Sequence, residues 1–299
     1  VHVGDSVRFV PAGFHDVHFL GLKGKPTSPF VPTGKTIAGV NDAAGVPFWF
    51  NGRAELGPNP KVFGPGSFGK TIATSGKTEI FSGAPLDPKT KPMTVRFTKA
   101  CLLRYFCSIH PGMRGSVRVK PKSAPVPSAT GDAARVKTQV ARALAVAKRL
   151  AATKAPANTV NVGAAGKGGV SFFGFIPAKL TVAVGTTVTF RMLSGDFETH
   201  TATFGPGGPQ DPKTYLGALA GSLESPAARQ EALYPSDLPS APAALTPASH
   251  GNGFWNSGGL DAVGASPLPQ RNAVRFAAPG TYTYYCLIHP FMKATVTAQ

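Results

Sequence analysis

The sequence predicts an all-β protein built from two copies of one Greek-key β-sandwich domain, joined by a linker that carries a basic helix. Three observations support this prediction: an internal repeat, short stretches of alternating apolar residues, and abundant turn residues. The chain has 35 glycines and 29 prolines in 299 residues, which is typical of loop-rich β proteins. This length allows about two domains, and no apolar run is long enough to predict a membrane span.

The internal repeat covers two pairs of segments. Residues 1–19, VHVGDSVRFVPAGFHDVHF, are matched by residues 180–204, LTVAVGTTVTFRMLSGDFETHTATF. Residues 93–119 are matched in the same way by residues 272–298. Two copies of one domain that differ in the lengths of their loops explain this pattern. We therefore predict a first domain at 1–121 and a second domain at 166–299.

Strands are predicted where apolar residues alternate between turns rich in Gly and Pro. The alternation runs from Val1 to Phe9 in the first copy and from Leu180 to Phe190 in the second. A strand-like segment, GVSFFGFIPAK at 169–179, precedes the second copy only. We therefore expect that the first strand of domain 1 is missing from this chain, or that another segment fills that edge.

Between the copies, residues 122–165 are predicted to be a Pro- and Ala-rich linker with a helix at about 132–153. Asp132 is a suitable N-cap. One narrow apolar stripe runs along the helix, formed by Val136, Val140, Leu144, Ala147 and Ala151. Two interpretations remain open: a connector packed on one domain, which the narrow stripe favours, or a helix that lies on a membrane surface or docks a partner.

Long insertions rich in Gly and Pro interrupt the two copies, at about 20–75 and 205–250. They are too long to be hairpin loops, so they either recognise partners or decorate the surface. Both have an aromatic pair, Phe48-Trp49 and Phe254-Trp255. We expect these aromatic side chains to form local cores within their own insertions.

The motif that indicates a chemical function is C-x2-H-x2-M, which occurs once in each copy of the repeat. Residues 105–113 are YFCSIHPGM and residues 284–292 are YYCLIHPFM. A thiolate, an imidazole and a thioether are soft to borderline ligands that suit copper. Structural zinc sites usually use pairs of Cys or His at short spacing, a pattern that is absent from this chain.

A second imidazole is expected from a different strand, and each copy has one at the matching place. His15 lies in FHDVHF and His200 lies in FETHTATF. Two His, one Cys and a long axial Met make up the blue-copper arrangement. His18 is not expected to be a ligand, because its counterpart in the second copy is Thr203. His2 and His250 have no counterpart either, and Cys101 is expected to be a free core thiol.

These segments resemble those of the cupredoxins, the small blue-copper electron-transfer proteins. FHDVHF and CLIHPFM are very similar to segments of the amicyanin and plastocyanin branch. The resemblance covers most of the repeat, but neither the insertions nor the helix. It implies two type 1 copper ions per chain, one held by His15, Cys107, His110 and Met113 and the other by His200, Cys286, His289 and Met292.

The resemblance further implies an electron carrier, not an enzyme, that is periplasmic, in the cell envelope or secreted. A copper oxidase or nitrite reductase is the main alternative, since some of these enzymes also use two cupredoxin domains. They need further histidines, as H-x-H pairs or directly before the cysteine, where this chain has Phe106 and Tyr285. Copper storage or delivery also remains open, because it could use the same ligands.

The surface charge predicts the kind of partner. With 31 Lys and Arg against 14 Asp and Glu, the net charge is +17. Such a charge favours redox partners with acidic docking surfaces, and anionic membranes or cell-wall polymers. No stacking aromatics interrupt a basic cluster, so no specific nucleic-acid partner is predicted. We expect redox partners to dock on an apolar patch beside His289, which is followed by Pro290 and Phe291.

Overall fold

A computed structural model describes residues 1–22, 28–110, 112–193, 195–196, 198–225, 227–262 and 268–299. The chain forms two compact units, each assembled from several segments. Unit 1 comprises Val1–Pro29, Asn59–Lys148 and Lys167–Val170, and unit 2 comprises Phe30–Pro58, Arg149–Gly166 and Ser171–Gln299. The domain limits derived from the repeat remain predictions, because the compact units draw on non-contiguous parts of the chain.

Strands dominate the described residues, as predicted. In chain order they are β1 (Ser6–Phe9), β2 (His18–Phe19), β3 (Phe30–Thr36), β4 (Ala54–Pro58), β5 (Thr71–Thr74), β6 (Ile80–Phe81), β7 (Met93–Phe97), β8 (Cys101–Phe106), β9 (Arg114–Val119), β10 (Thr159–Gly166), β11 (Val170–Ile176), β12 (Lys179–Val182), β13 (Thr187–Arg191), β14 (Thr203–Phe204), β15 (Ala243–Leu245), β16 (Trp255–Asn256), β17 (Arg271–Phe276), β18 (Gly280–Tyr285) and β19 (Lys293–Ala298). The helices are α1 (Pro60–Phe63), α2 (Ala129–Ala151), α3 (Tyr215–Ser222) and α4 (Gln230–Leu233), and a 3₁₀ turn covers Ser249–Gly251.

Unit 1 contains two sheets, ordered β1-β7-β5 and β6-β2-β8-β9. Apolar side chains from both sheets share one core, formed by Phe19, Ile80, Met93, Val95, Phe97, Leu103 and Val119. β8 pairs antiparallel with β9 from Cys101↔Val119 to Phe106↔Arg114. The loop that carries the C-x2-H-x2-M motif is therefore held at both ends by a complete ladder.

Unit 2 repeats this arrangement with additional strands, in sheets ordered β11-β10-β13-β17-β15 and β12-β19-β18-β14-β16. The β13–β17 and β18–β19 pairs correspond to β1–β7 and β8–β9, and all four are antiparallel. The core between the sheets includes Val188, Phe190 and Val274 from one and Phe204, Tyr284 and Val296 from the other. The predicted all-β sandwich class and the internal repeat are confirmed.

One strand begins inside the segment that the sequence assigns to the linker. β10 starts at Thr159 and pairs parallel with β13, from Thr159↔Thr189 to Asn161↔Arg191. Its apolar residues Val160 and Val162 are fully buried. The run of small residues that follows them hides the strand in the sequence, because glycine and alanine are poor strand formers and give little alternating contrast.

The middle part of the insertion predicted at about 20–75, Phe30–Pro58, belongs to unit 2, whereas the parts on either side of it belong to unit 1. It forms the β3–β4 hairpin and shares a second core with the insertion of the second copy. That core includes Phe30, Ile37, Phe48, Phe50, Leu56, Leu216, Leu219, Leu233, Phe254 and Leu287. Phe48 and Phe254, which we expected to pack within their own insertions, therefore pack in one shared core, because burial of large apolar side chains is favourable.

The helix predicted at about 132–153 is present as α2, Ala129–Ala151. None of its residues is buried. Its role as a connector between the domains remains a prediction. Among the helices of the described residues, none is both long enough and apolar enough to cross a membrane.

Candidate metal centres

The first candidate centre lies in unit 1, where the structure brings together His15, Cys107 and His110. The two Nδ1 atoms of the histidines are 3.0 Å apart. The Cys107 Sγ lies 3.9 Å from the His15 Nδ1 and 3.7 Å from the His110 Nδ1. These three atoms form a compact triangle that could hold a single metal ion.

The second candidate centre, in unit 2, has the same triangle. The Nδ1 atoms of His200 and His289 are also 3.0 Å apart. The Cys286 Sγ lies 3.9 Å from the His200 Nδ1 and 3.7 Å from the His289 Nδ1. The two copies of the motif thus produce the same arrangement of His and Cys atoms.

The separations within both triangles fit a first-row metal ion. Such ions lie about 2.0 Å from an imidazole nitrogen and about 2.3 Å from a thiolate sulfur, so two ligands of one ion can be at most about 4.3 Å apart. The observed distances of 3.0, 3.7 and 3.9 Å all fall within this limit. A donor set of two imidazoles and one thiolate is typical of copper or zinc.

Backbone hydrogen bonds hold the two ligand loops in the same conformation. In unit 1, the Cys107 N–H donates to the Met113 carbonyl at 3.0 Å, and the Met113 N–H donates to the His110 carbonyl at 2.9 Å. In unit 2, the corresponding distances are 3.2 Å from Cys286 to Met292 and 2.8 Å from Met292 to His289. The same backbone hydrogen bonds therefore form although Ser108 and Gly112 of the first loop are replaced by Leu287 and Phe291 in the second.

Each cysteine sulfur also accepts hydrogen bonds from backbone N–H groups. The N–H groups of Asp16 and His110 point at the Cys107 Sγ, at 3.5 and 3.3 Å. Those of Thr201 and His289 point at the Cys286 Sγ, at 3.3 and 3.4 Å. Such donors stabilise negative charge on sulfur, so they favour the thiolate that a metal ion needs.

Burial keeps the side chains of the first centre uncharged in the absence of metal. It lowers the pKa of His15, and burial together with the charge of His15 lowers the pKa of His110 to about 4. Burial and the nearby Asp16 carboxylate raise the pKa of Cys107 to about 11. Neutral imidazoles are ready to bind a metal, whereas the thiol must first release its proton.

The residue after the first histidine ligand was not singled out from the sequence, yet it contacts both the sulfur and the ligand loop. In unit 1 this residue is Asp16, whose Oδ1 accepts the Ser108 N–H at 2.7 Å. In unit 2 it is Thr201, whose hydroxyl accepts the Leu287 N–H at 2.9 Å. A comparison of the two copies immediately after His15 and His200 could have identified this pair of positions.

The methionines of the two motif copies differ in their exposure to solvent. Met292 is 2 % exposed and belongs to the same core as Cys286. Met113 is 44 % exposed. The axial role of both thioethers remains a prediction, and the burial of Met292 makes it better supported for the second centre.

The three remaining histidines occupy separate polar settings. His2 hydrogen-bonds to the Ala124 carbonyl at 2.8 Å. His18 is buried between the Ser108 hydroxyl and the Glu79 carboxylate. His250 contacts two carboxylates, those of Asp42 and Asp237. Within the described ranges, the two triangles are the groups of three or more His, Cys, Asp or Glu that could hold a metal ion.

An aromatic side chain covers the second centre. The ring of Phe173, on β11, lies 5.6 Å from the ring of His200 and 4.7 Å from that of His289, between centroids. Phe291, which is 64 % exposed, lies 6.1 Å from both Phe173 and His289. The expected apolar patch beside His289 is thus an exposed aromatic surface.

No protein-family model and no curated protein sequence matches the chain. Solved structures with some similarity include oxidised plastocyanin from Dryopteris crassirhizoma, at 22 % identity over 47 % of this chain and 99 % of that chain, with a TM-score of 0.27. Another is amicyanin in a reduced Cu(I) form, at 19 % identity over 50 % of this chain and 89 % of that chain, with a TM-score of 0.25. Similarity at this level says nothing about the chemistry of the two centres, which rests on the ligand geometry. Fold and side-chain geometry together define a β-sandwich protein with two His₂Cys groups that could each hold a metal ion.

Proposed function

We propose that this chain is a two-domain cupredoxin, an electron-transfer protein with one type 1 copper site in each domain. The observation that carries the proposal is the pair of matching triangles, each with one cysteine sulfur and two imidazole nitrogens at 3.0, 3.7 and 3.9 Å. The predicted ligands are His15, Cys107, His110 and Met113, and His200, Cys286, His289 and Met292. A bound copper ion would supply one-electron chemistry at each site.

The fold supports one-electron transfer because it holds the predicted ligand side chains in fixed positions. Antiparallel ladders hold both ends of each ligand loop, and the backbone N–H groups fix the position of each sulfur. The Cys286 side chain is completely buried and His200 is 1 % exposed, so water is kept away from most of the second centre. A rigid, dry site changes little when an electron arrives or leaves, which favours fast transfer.

The same reasoning identifies where electrons would enter and leave. The ring of His289 lies 4.7 Å from that of Phe173 and 6.1 Å from the exposed ring of Phe291, between centroids. We propose that redox proteins dock on this patch and that His289 is the electron port, with the chain's net charge of +17 favouring acidic partners. Replacing Phe291 with Glu should slow electron transfer with a physiological partner, and an unchanged rate would argue against this port.

The main alternative to an electron carrier is a copper-dependent enzyme, and the test described below must distinguish these two functions. His2, His18 and His250 lie in separate hydrogen-bonded settings, and this arrangement supports a carrier over an oxidase or a nitrite reductase. Export to the periplasm, cell envelope or exterior is part of the proposal, on the basis of the family resemblance.

The test is copper stoichiometry combined with the visible spectrum and redox cycling. We expect two copper ions per chain, an intense visible thiolate band, and reversible one-electron reduction. Cys107→Ser and Cys286→Ser should each remove one copper and its band, whereas Cys101→Ser, which changes the third cysteine, should remove neither.

Three outcomes would contradict the proposal. Turnover with oxygen or nitrite would favour an enzyme, and rapid loss of copper to a chelator would favour storage or delivery. A colourless zinc protein would exclude type 1 copper altogether.

A further inference from the structure

We propose that helix α2 binds the surface of an anionic lipid bilayer through its exposed apolar stripe and the basic residues that border it. This inference does not depend on the copper sites. It concerns the one long helix of the described residues, which lies outside the repeat and outside both sandwich cores.

The first observation is that α2 leaves three large apolar side chains of its stripe in water. The helix spans 23 residues and buries none of them. Val136, Val140 and Leu144 are 56 %, 51 % and 59 % exposed. They recur every four residues and therefore lie on one face of the helix. A connector packed against a domain through Val136, Val140 and Leu144 would have buried them, so for this face the structure favours the surface interpretation.

The second observation is the position of the charges relative to that face. At about 100° per residue, Lys137 and Lys148 fall on one border of the stripe. The half-buried Val146 and Leu150 extend the apolar arc in the other direction, and the arginines lie beyond them. The five basic residues of α2 are Arg135, Lys137, Arg142, Lys148 and Arg149, against a single acidic residue, Asp132.

This arrangement fits a bilayer surface better than other partners. Long basic side chains at the borders of an apolar face can reach lipid headgroups while the face enters the boundary with the acyl chains. A second copy of the chain would bring five cations against five cations, which is unfavourable. Nucleic acid would use the charges but leave the apolar stripe in water, and α2 contains no aromatic side chain on which a base could stack.

Helix α2 would attach the chain to an anionic bilayer, a role that neither sandwich domain provides. Electrostatic attraction to anionic headgroups acts together with burial of the three exposed apolar side chains. Either contribution alone gives weak, reversible binding, so both should be necessary. The chain would then be held at a membrane surface through α2.

The experiment uses the full copper-loaded chain and two kinds of vesicle: phosphatidylcholine alone, and phosphatidylcholine with about one-third phosphatidylglycerol. Co-sedimentation should detect binding to the anionic vesicles only, and binding should weaken as salt rises from about 50 to about 500 mM. The double variant Val140→Glu with Leu144→Glu should weaken binding by roughly tenfold or more. The triple variant Arg135→Gln, Lys137→Gln, Arg142→Gln should weaken binding to anionic vesicles by a similar factor.

A matched triple variant controls for total charge. Lys35→Gln, Lys89→Gln and Lys99→Gln remove three exposed charges outside α2 and should leave binding nearly unchanged. Glutamate and glutamine are good helix formers, and circular dichroism will show that α2 is retained. The visible spectrum reports separately on the copper sites, so loss of the blue band would count against the proposed function and not against this inference.

Several outcomes would overturn the inference. The first is vesicle binding by the Val140→Glu, Leu144→Glu variant that equals binding by the wild type. The second is a loss of binding in the control variant Lys35→Gln, Lys89→Gln, Lys99→Gln as large as that in the α2 triple variant. The third is binding of the wild type to neutral vesicles that is as strong as its binding to anionic vesicles. Duplex DNA binding that depends on the same five cations and exceeds vesicle binding would assign α2 to nucleic acid. A concentration-dependent dimer that the stripe variant converts to monomer would assign the stripe to a second copy.

Discussion

At the residue scale, Gly163 shows how closely the backbone approaches the second centre. Its φ is +77°, and a Cβ at this position would lie 2.6 Å from the His200 Nε2 and 3.0 Å from an Asp196 carboxylate oxygen. Contacts this short cannot be accommodated without moving the imidazole. We expect Gly163→Ala to displace His200, to weaken or remove the blue band of the second centre, and to cost about 1–2 kcal/mol from backbone strain alone.

Gly13 offers a matched control for this prediction in the first unit. Its φ is +87°, but its Cβ would lie 3.6 Å from the nearest His15 atom, an ordinary contact distance. Gly13→Ala therefore introduces similar backbone strain without a clash and should leave the first centre's band in place. Visible spectra and copper content of the two variants make the comparison, and two intact bands in Gly163→Ala would contradict the prediction.

Asp16 is the residue that most clearly distinguishes the two centres. It is 4 % exposed, its N–H points at the Cys107 sulfur, and its Oδ2 has no hydrogen-bond partner among the described residues. Burial raises its pKa to about 6, so at pH values well above this it is a buried carboxylate beside the ligand sulfur. A nearby negative charge stabilises the more positive, oxidised form of a metal site.

We therefore expect Asp16→Asn to raise the reduction potential of the first centre at about pH 8, well above the pKa of this carboxyl. Spectroelectrochemical titration of each band is the measurement. Asp132→Asn removes the same charge from an exposed position on α2 and should leave both potentials unchanged. A potential that stays the same or falls in Asp16→Asn would show that the carboxylate does not act on the copper site.

At the element scale, His250 joins the two insertions within unit 2. Its ring contacts Asp42, between β3 and β4, at 3.1 Å, and Asp237, after α4, at 3.2 Å. Burial opposes the charged form, but the hydrogen bonds and charges of Asp237 and Asp42 outweigh burial and raise the pKa of His250. For Asp42, burial is outweighed in the same way by N–H groups and by His250, so the pKa of Asp42 is lowered.

These shifts predict how stability depends on pH. Because the folded pKa of His250 is raised, its stabilisation is complete below the ordinary value of about 6.5 and is lost as pH rises through the folded pKa. Because the folded pKa of Asp42 is lowered, its stabilisation holds above the ordinary carboxyl value and is lost as pH falls through the folded pKa. The contribution of this cluster should therefore be largest between these two limits.

Thermal unfolding of the copper-loaded chain from about pH 5 to pH 9 tests this prediction. His250→Gln should lower the stability by about 1–3 kcal/mol at the acidic end of this range, because it leaves a mostly covered carboxylate without its charged partner. It should also flatten the pH dependence, whereas His2→Gln should preserve it. Parallel pH profiles for the wild type and His250→Gln would be inconsistent with a role for this cluster.

At the scale of the whole molecule, the two centres have the same ligand geometry but different surroundings. The first has the Asp16 carboxylate beside its sulfur and a methionine that is 44 % exposed. The second has Thr201 in place of the carboxylate, a methionine that is 2 % exposed, and Phe173 over its histidines. Negative charge and exposure to water both stabilise an oxidised metal site, so the two centres should not share one potential.

We expect a reductive titration of the whole chain to show two one-electron steps, with the first centre at the lower potential. Cys107→Ser and Cys286→Ser, each retaining one centre, assign the two steps. A single two-electron step, or a lower potential in the variant that retains only the second centre, would contradict this ordering.

The ligand triangles could be predicted from the sequence because their determinants are local and occur twice. A three-residue spacing places Cys107 and His110, or Cys286 and His289, on one tight loop, and the repeat identifies His15 and His200 as the matching partners. Alternating apolar residues likewise predicted the strands that hold those loops. Helix α2 was predicted by the period of its stripe, but the prediction of Asp132 as its N-cap was wrong. The helix begins at Ala129, the Ser128 hydroxyl accepts the Gly131 N–H, and Asp132 lies in the first turn.

Apart from the predicted His and Cys groups, only the tertiary structure decided which distant residues meet. It placed the Asp16 carboxylate beside the Cys107 sulfur, assigned Phe30–Pro58 to unit 2, and left Val136, Val140 and Leu144 of α2 in water. Ligand spacing and strand alternation are properties of neighbours along the chain, so the sequence by itself determined them. The packing of apolar faces against one another depends on the shapes of side chains that are far apart in the chain, so it cannot be seen in any local sequence pattern.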